Sequence, residues 1–431
     1  MNMIKYRFII FIFLLFTMFS VTQLVQAEEI KPLSDDDDNK PIEVFISTKE
    51  EPDPLKLSLN STLKLAVENN LNIALQKDKV KENKLKVDEV KNKKLLLFFK
   101  FANSSALENS AQYSLEASES RLKTTINNVI TEASVKYYKL VEAILARNIA
   151  DEFLKQGKLS LEQNEKLLKL GKATNFEVKQ TEVFVESLKQ KQLESQIAYM
   201  LSSVDLAQYL NQKNLNINIM PEECNLNSKN NASIDDIKML NLVNETILLT
   251  ECIEFALQNR PELEEIKYKI RSLEELKMAT KSDEIKSKTI DSQISQLKKT
   301  LEMLENTVKA TVTQALLKLI GSKNQIEVAK KKCELSIKAL DQAYITRSEG
   351  FSTNKDVLDA QIYLAGAKKD LIKAIIAYNI AQIKLLNELG IIDKDIISKN
   401  TPLKLSNNRG SNKQKHTENK LLNSNVETIK Q

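Results

Sequence analysis

The chain has 431 residues with only 7 Gly, 7 Pro and no Trp, and Leu, Lys, Glu, Ala, Gln and Ile dominate it, a composition short of turn-formers and suited to long helices. Its net charge of +5 resides in the segment from Ser398 onward, which has seven Lys or Arg against two Glu; elsewhere positives alternate with Glu and Asp, which excludes a clustered basic face for nucleic acid. Three scattered cysteines (Cys224, Cys252 and Cys333) and one histidine, His416, exclude a zinc site.

In chain order, Lys5 and Arg7 precede an apolar run from Phe8 to Phe19 that ends in Val25-Gln26-Ala27, the pattern of a secretory signal peptide over residues 1–27. Residues 28–56 are acidic, with Asp35 to Asp38 in a row, and read as disordered. After Ala27 no stretch approaches the ~18 consecutive apolar residues of a membrane-spanning helix, so any insertion must use strands. In an oxidising compartment, pairing of Cys224 with Cys252 stays open.

The next feature is a duplication. Leu63-Lys64-Leu65-Ala66-Val67-Glu68-Asn69-Asn70 is echoed by Ile253-Glu254-Phe255-Ala256-Leu257-Gln258-Asn259-Arg260, and Gly171-Lys172-Ala173-Thr174 by Gly350-Phe351-Ser352-Thr353. Two landmarks in the same order define two tandem repeats, 57–214 and 246–391, joined by an Asn-rich linker over 215–245. Each repeat predicts a short helix, a break, a helix of about 30 residues, a variable middle, a helix of about 50, a Gly turn and a returning helix. Residues 392–431 read as a disordered basic tail.

In the last helix of the second repeat, Val357, Ala360, Leu364, Ala367, Leu371, Ala374, Tyr378, Ala381 and Leu385 follow steps of three and four, a coiled-coil seam. A second stripe, Leu358, Ile362, Ala365, Ile372, Ile376, Ile383 and Leu386, is interrupted only by Lys369 and Asn379. Two stripes on one helix predict a neighbour on each side, as in a wall of helices. The preceding helix offers Ile326, Ala329, Cys333, Ile337, Leu340 and Tyr344, which makes Cys333 a core residue. The fold class is therefore all-α: long antiparallel coiled-coil helical hairpins in two tandem copies.

The paired openings, including Asn259-Arg260-Pro261-Glu262-Leu263, the paired Gly-x-x-Thr turns, Asp356-Val357-Leu358-Asp359-Ala360-Gln361 and the closing Leu389-Gly390 resemble the outer-membrane efflux protein family, the TolC-like proteins, over roughly residues 57 to 391. The resemblance implies a homotrimer whose helices form a hollow periplasmic α-barrel continuing into a 12-stranded β-barrel in the outer membrane. Its partners would be a periplasmic adaptor protein and an inner-membrane transporter. It places Gly171, Thr174, Gly350 and Thr353 at the adaptor-contact tip and Asp356, Asp359 and Glu177 at an acidic ring around the periplasmic entrance. The two aspartates equally suit a helix N-terminus, where acids favour the macrodipole. The family's latching arginine falls at Ser352, leaving Arg347, Lys355 or Glu177 to substitute by another geometry.

The sequence departs from that family where the membrane strands belong. Two strands and a turn need at least about 20 residues, and the first repeat offers only the continuous run Leu95 to Phe101, while Lys277 to Lys299 is dense with charge and Ser or Gln. Little or no β-barrel is expected. Phe98, Phe99 and Phe101 are possible membrane contacts, or lie buried between helices. No glycine-rich phosphate loop, nucleophile elbow or His-centred site is present, so the reading is a non-enzymatic efflux or export duct component without cofactors. The alternative is a periplasmic coiled-coil scaffold or adaptor-like spacer without a conducting lumen, and polar residues along one side of each long helix would favour the duct.

Overall fold

The computed structural model of the protein describes residues 55–96, 104–211, 219–222, 239–243, 247–400 and 402. The signal peptide, most of the acidic segment, Phe98, Phe99, Phe101, Cys224 and the tail from residue 403 lie outside the described residues. In chain order the elements are β1 (Leu55–Leu57), α1 (Leu59–Asn69), α2 (Leu71–Leu96), α3 (Ser104–Lys169), α4 (Asn175–Tyr209), β2 (Ile219–Pro221), α5 (Leu249–Asn259), α6 (Pro261–Ala279), α7 (Glu284–Ser348), α8 (Asn354–Glu388) and α9 (Lys394–Lys399). At ~1.5 Å per residue, α3 and α7 are each about 100 Å long.

The duplication is visible in backbone detail. In both repeats a single extended residue breaks the helix pair, Asn70 at φ −73° and ψ 119° and Arg260 at φ −69° and ψ 122°. Pro261 opens α6, where its missing donor is not needed. In both repeats the residue ending the returning helix is left-handed and sits against that break. Asn211 has φ 49° and donates to the Asn69 carbonyl, and Gly390 has φ 76°. A Cβ on Gly390 would lie 2.8 Å from the Asn259 carbonyl oxygen, so glycine is required there both by φ and by close approach.

Side-chain bonds give the order of the rods. The first half of α3 meets α2 through Asn83 and the Ser114 carbonyl, and α6 through Ser110, Ser114 and Ser272. Its second half meets α4 through Asp151 and Gln192, and α8 through Glu152 and Lys368 at 3.1 Å. The helix α7 packs on α6 and α8, with Lys298 to Glu274 and Lys332 to Asp370 across the two seams. The result is a wall four rods wide: α2 with α4, then α3, then α6 with α8, then α7.

Burial follows this order. Along α8 most of both stripes is covered, from Leu358 through Leu371, Ile372 and Ile376 to Leu386, Ile362 being exposed, and its solvent side is mostly polar: Lys355, Asp359, Lys369, Asp370, Lys373 and Lys384. By contrast α7 has one buried stripe, Val308, Val312, Leu316, Leu319, Ile326, Ala329 and Cys333. Cys333 is therefore a core residue, as expected.

Several expectations need correcting. The long helices have 66 and 65 residues rather than about 50; in α7 the charged stretch Glu284 to Lys299 has no Gly or Pro and makes helical pairs such as Glu284 with Lys288, so it extends the helix. The preceding helices are shorter than 30, at 26 and 19 residues. Ile337, Tyr344 and Ile362 are more than two-fifths exposed. Asn379 does not interrupt its stripe: it is buried, its amide oxygen accepts from the Leu240 amide, and Gln382 brackets the same strand-like segment through Leu240 and Leu242. Chain assigned to the linker and the flanks also has structure, since β1 pairs in parallel with β2 and α9 lies beyond residue 391.

Candidate functional site at the hairpin tips

Each long helix ends in the same device. At the first tip the Lys172 amide donates to the Leu167 carbonyl and the Gly171 amide to that of Leu168; at the second, Phe351 donates to Thr346 and Gly350 to Arg347. Both glycines are left-handed, at φ 70° and 82°, the geometry in which the last free carbonyls of a helix are satisfied. The next helix then starts on a capping box: the Thr174 amide donates to Glu177 Oε2 at 2.8 Å and the Thr353 amide to Asp356 Oδ2 at 2.7 Å, with each threonine hydroxyl accepting the acid's own amide in return.

Beneath the turns lies a closed polar network that joins four helices. Asn164 of α3 donates to Thr181 Oγ1 of α4 at 2.8 Å and to Asn354 Oδ1 of α8 at 3.2 Å, and its own Oδ1 accepts from Arg347 of α7 at 2.6 Å. Asn354 donates to Thr181 Oγ1 at 2.9 Å and to the Glu177 carbonyl at 3.4 Å. Thr181 donates to that same carbonyl at 2.9 Å. Asn164, Thr181 and Asn354 are at most 1 % exposed, and every donor and acceptor on these three side chains is used. A second link runs from Gln361 Nε2 of α8 to the Tyr344 hydroxyl of α7 at 2.7 Å.

The acids expected to ring an entrance are each engaged within their own helix start. Asp356 and Glu177 serve the capping boxes, and Asp359 pairs with Lys355 at 2.7 Å. The Thr353 hydroxyl, and then its amide, hold the Asp356 carboxyl below its ordinary range, and Asp359 raises Lys355. Arg347 points inward to Asn164, while Ser352 bonds the Thr346 hydroxyl on its own hairpin. Three apolar side chains stand exposed at the tips, Leu170, Phe176 and Phe351, the last 83 % exposed, among the exposed polar residues Lys169, Lys172, Glu349 and Lys355.

Sequence reasoning found the turns and missed the network. Its signal was present: Leu154, Gly157, Leu161, Asn164 and Leu168 step by three and four, so Asn164 occupies a core position. At the opposite end of the hairpins the connections are short, with seven residues between α2 and α3 and four, Thr280 to Asp283, between α6 and α7. Neither holds two membrane strands, and no helix among the described residues is long and apolar enough to cross a membrane.

No protein-family model matches the chain, and no curated protein matches its sequence. Solved structures do. CusC, described for its folding and transmembrane channel formation, matches with a TM-score of 0.64 and 14% identity over 77% of this chain and 92% of its own. The CmeC outer membrane channel of Campylobacter jejuni matches at 0.62 and 14% identity over 79% and 88%. VceC, an outer membrane protein of Vibrio cholerae, matches at 0.61 and 12% identity over 77% and 96%. The chain shares their fold. The resemblance drawn from the paired openings and Gly-x-x-Thr turns thus holds at the level of the fold, and two of these structures, CusC and CmeC, are described as channels.

Proposed function

We propose that the chain is one wall segment of a helical duct at the outer membrane, completed by further copies of itself, which passes solutes or proteins received at its hairpin tips. The observation that carries this reading is the pair of unpartnered seams at the two margins of the wall. On α7, opposite its buried stripe, Met303, Leu317, Val328 and Leu335 are each more than half exposed, with Ala310 and Gly321 on the same line. On α4, Phe176, Val183, Ile197 and Leu201 form a matching exposed line. Between the two seams of α7 runs a charged side, Glu302, Lys309, Glu327, Glu334, Lys338 and Asp341, which suits a wetted surface and not the interior of a solid bundle.

Contact between two different margins would be head-to-tail, which closes into a ring when the rotation allows; the family resemblance supports three copies. Val328 lies about 20 residues before the end of α7 and Ile197 about 20 after the start of α4, so at ~1.5 Å per residue both stand about 30 Å from the turns and face one another in a ring with level tips. Gly171, Thr174, Gly350 and Thr353 then set the rim that meets a periplasmic adaptor and, through it, an inner-membrane transporter, with Asp356, Asp359 and Glu177 around the opening. Phe98, Phe99 and Phe101, which lie outside the described residues, are kept as proposed membrane contacts, with burial between helices as the alternative.

The short connections at that far end favour a second reading, a periplasmic scaffold that stops at the membrane without conducting. Particle imaging and mass measurement of the purified full chain separate the two. A ring with an open centre supports the duct, a filled bundle supports the scaffold, and a monomer at micromolar concentration contradicts both.

A further inference from the structure

We propose that the groove between α3, α4 and α8 holds a single-chain amphiphile, its apolar chain lying along Phe153, Phe184, Leu188 and Ile362 and its anionic head between Lys191 and Lys369. The groove lies within one copy, so the site stands whether or not copies close into a ring.

In the lower half of the wall α4 and α8 diverge over α3 and leave a groove of about 390 Å³ lined by Phe153, Phe184, Leu188, Ala198, Ile362 and Gly366. Phe153, Phe184 and Leu188 are at most 6 % exposed, and Ile362 on the edge is 42 % exposed. A cleft of this size with an apolar lining and a few polar groups at its rim suits a small ligand, and an apolar occupant removes the lining from water. Its shape selects the occupant. From Phe184 to Ala198 the α4 side runs about 21 Å at ~1.5 Å per residue, so the volume corresponds to a section of roughly 20 Å². One unbranched hydrocarbon chain has that section. A helix, about 10 Å across, is too thick to enter, and an extended peptide would set its backbone N–H and C=O groups against a wall with little to pair them.

Gly366 points the same way independently. It lies in the interior of α8, where glycine is disfavoured. Its backbone is not left-handed, and a Cβ built on it meets nothing within 4 Å. Neither conformation nor packing within the chain requires glycine there, whereas a larger side chain would stand in the groove.

Charge sets the head. Lys191 of α4 and Lys369 of α8 flank the groove at one level, 16 and 15 residues from the starts of their helices. Both are exposed, and neither is paired among the described residues. The nearby acids are engaged: Glu194 accepts from Gln190 Nε2 at 3.1 Å, and Glu152 pairs with Lys368. Two free ammonium groups above an apolar cleft favour a carboxylate or a similar anion on the end of the chain.

The test is calorimetric titration of the purified full chain, free of detergent, with decanoate, decylammonium and acetate, each below its aggregation concentration. Decanoate should bind once per chain and at least tenfold more tightly than decylammonium, and acetate should give no measurable heat. Gly366→Leu fills the groove with a residue that a helix accepts better than glycine; it should weaken decanoate at least tenfold while far-UV circular dichroism is unchanged. Lys191→Gln combined with Lys369→Gln alters only exposed side chains and should abolish the preference for decanoate over decylammonium, which reads the same site if Gly366→Leu does not fold. Absence of saturable decanoate binding, decanoate binding unmoved by Gly366→Leu in a folded chain, or equal binding of the two head groups to the unsubstituted chain overturns the proposal.

Discussion

Gly171, Gly350 and Gly390 share a left-handed backbone but differ in surroundings. Nothing lies within 4 Å of a Cβ built on the first two, whereas one on Gly390 meets the Asn259 carbonyl and the Arg260 backbone. Alanine at Gly171 or Gly350 should therefore cost only the conformational penalty, about 1–2 kcal/mol, and Gly390→Ala distinctly more, as read from chemical denaturation midpoints. Thr174→Ala and Thr353→Ala each remove a cap and should cost about 1 kcal/mol. The cap at Asp356 is also pH-dependent. Its carboxyl is lowered from the ordinary 3.8, so its contribution is complete above that value and is lost as the pH falls through the lowered one. The stability difference between the unsubstituted chain and Asp356→Asn should hold at pH 7 and shrink towards nil in strong acid. Cys252 is fully buried, and burial, aided by Glu251, pushes its thiol up to about 11; it should resist alkylation at pH 8 until the chain is unfolded. The caps were readable from sequence because their chemistry is local. The Asn164 to Asn354 contact was not, since its partners are 190 residues apart and nothing in periodicity says which core asparagines meet.

Among the elements, the distinction that matters is between helices covered on two flanks and those covered on one. The two stripes on α8 announced its inner position, because a helix buried on both sides must be apolar on both. The sequence spoke less plainly for α7, whose second line mixes Met303 and Leu317 with Gly321 and Asn324, a seam weak enough to stay exposed in one chain. The long helices exceed expectation because Lys, Glu and Gln are good helix formers even where no core is available. If the free lines on α4 and α7 are the seams of the ring, Val328→Arg or Ile197→Arg should reduce the assembly to single chains in sedimentation. Far-UV circular dichroism should change by less than a tenth, since both sites are exposed in the isolated copy.

At the largest scale, the described helices form a wall four rods wide with an exposed apolar line at each margin, and the proposed repetition of the same chain would cover both lines. The general architecture was legible from the duplicated landmarks; the extent of the wall at the far end was not, because a charged stretch can be loop or helix until its neighbours are known. The connections of seven and four residues there are each too short for the two strands and turn that an ordinary membrane barrel takes from each repeat. The claim on which the account stands is that α4 of one copy abuts α7 of the next. It is tested most directly by oxidising a chain carrying Ile197→Cys and Val328→Cys, with the native cysteines removed. The account predicts linkage between copies that runs to a closed species of fixed size, with neither single substitution giving more than a dimer. Linkage within one copy, or none under conditions where the assembly is intact, would contradict it.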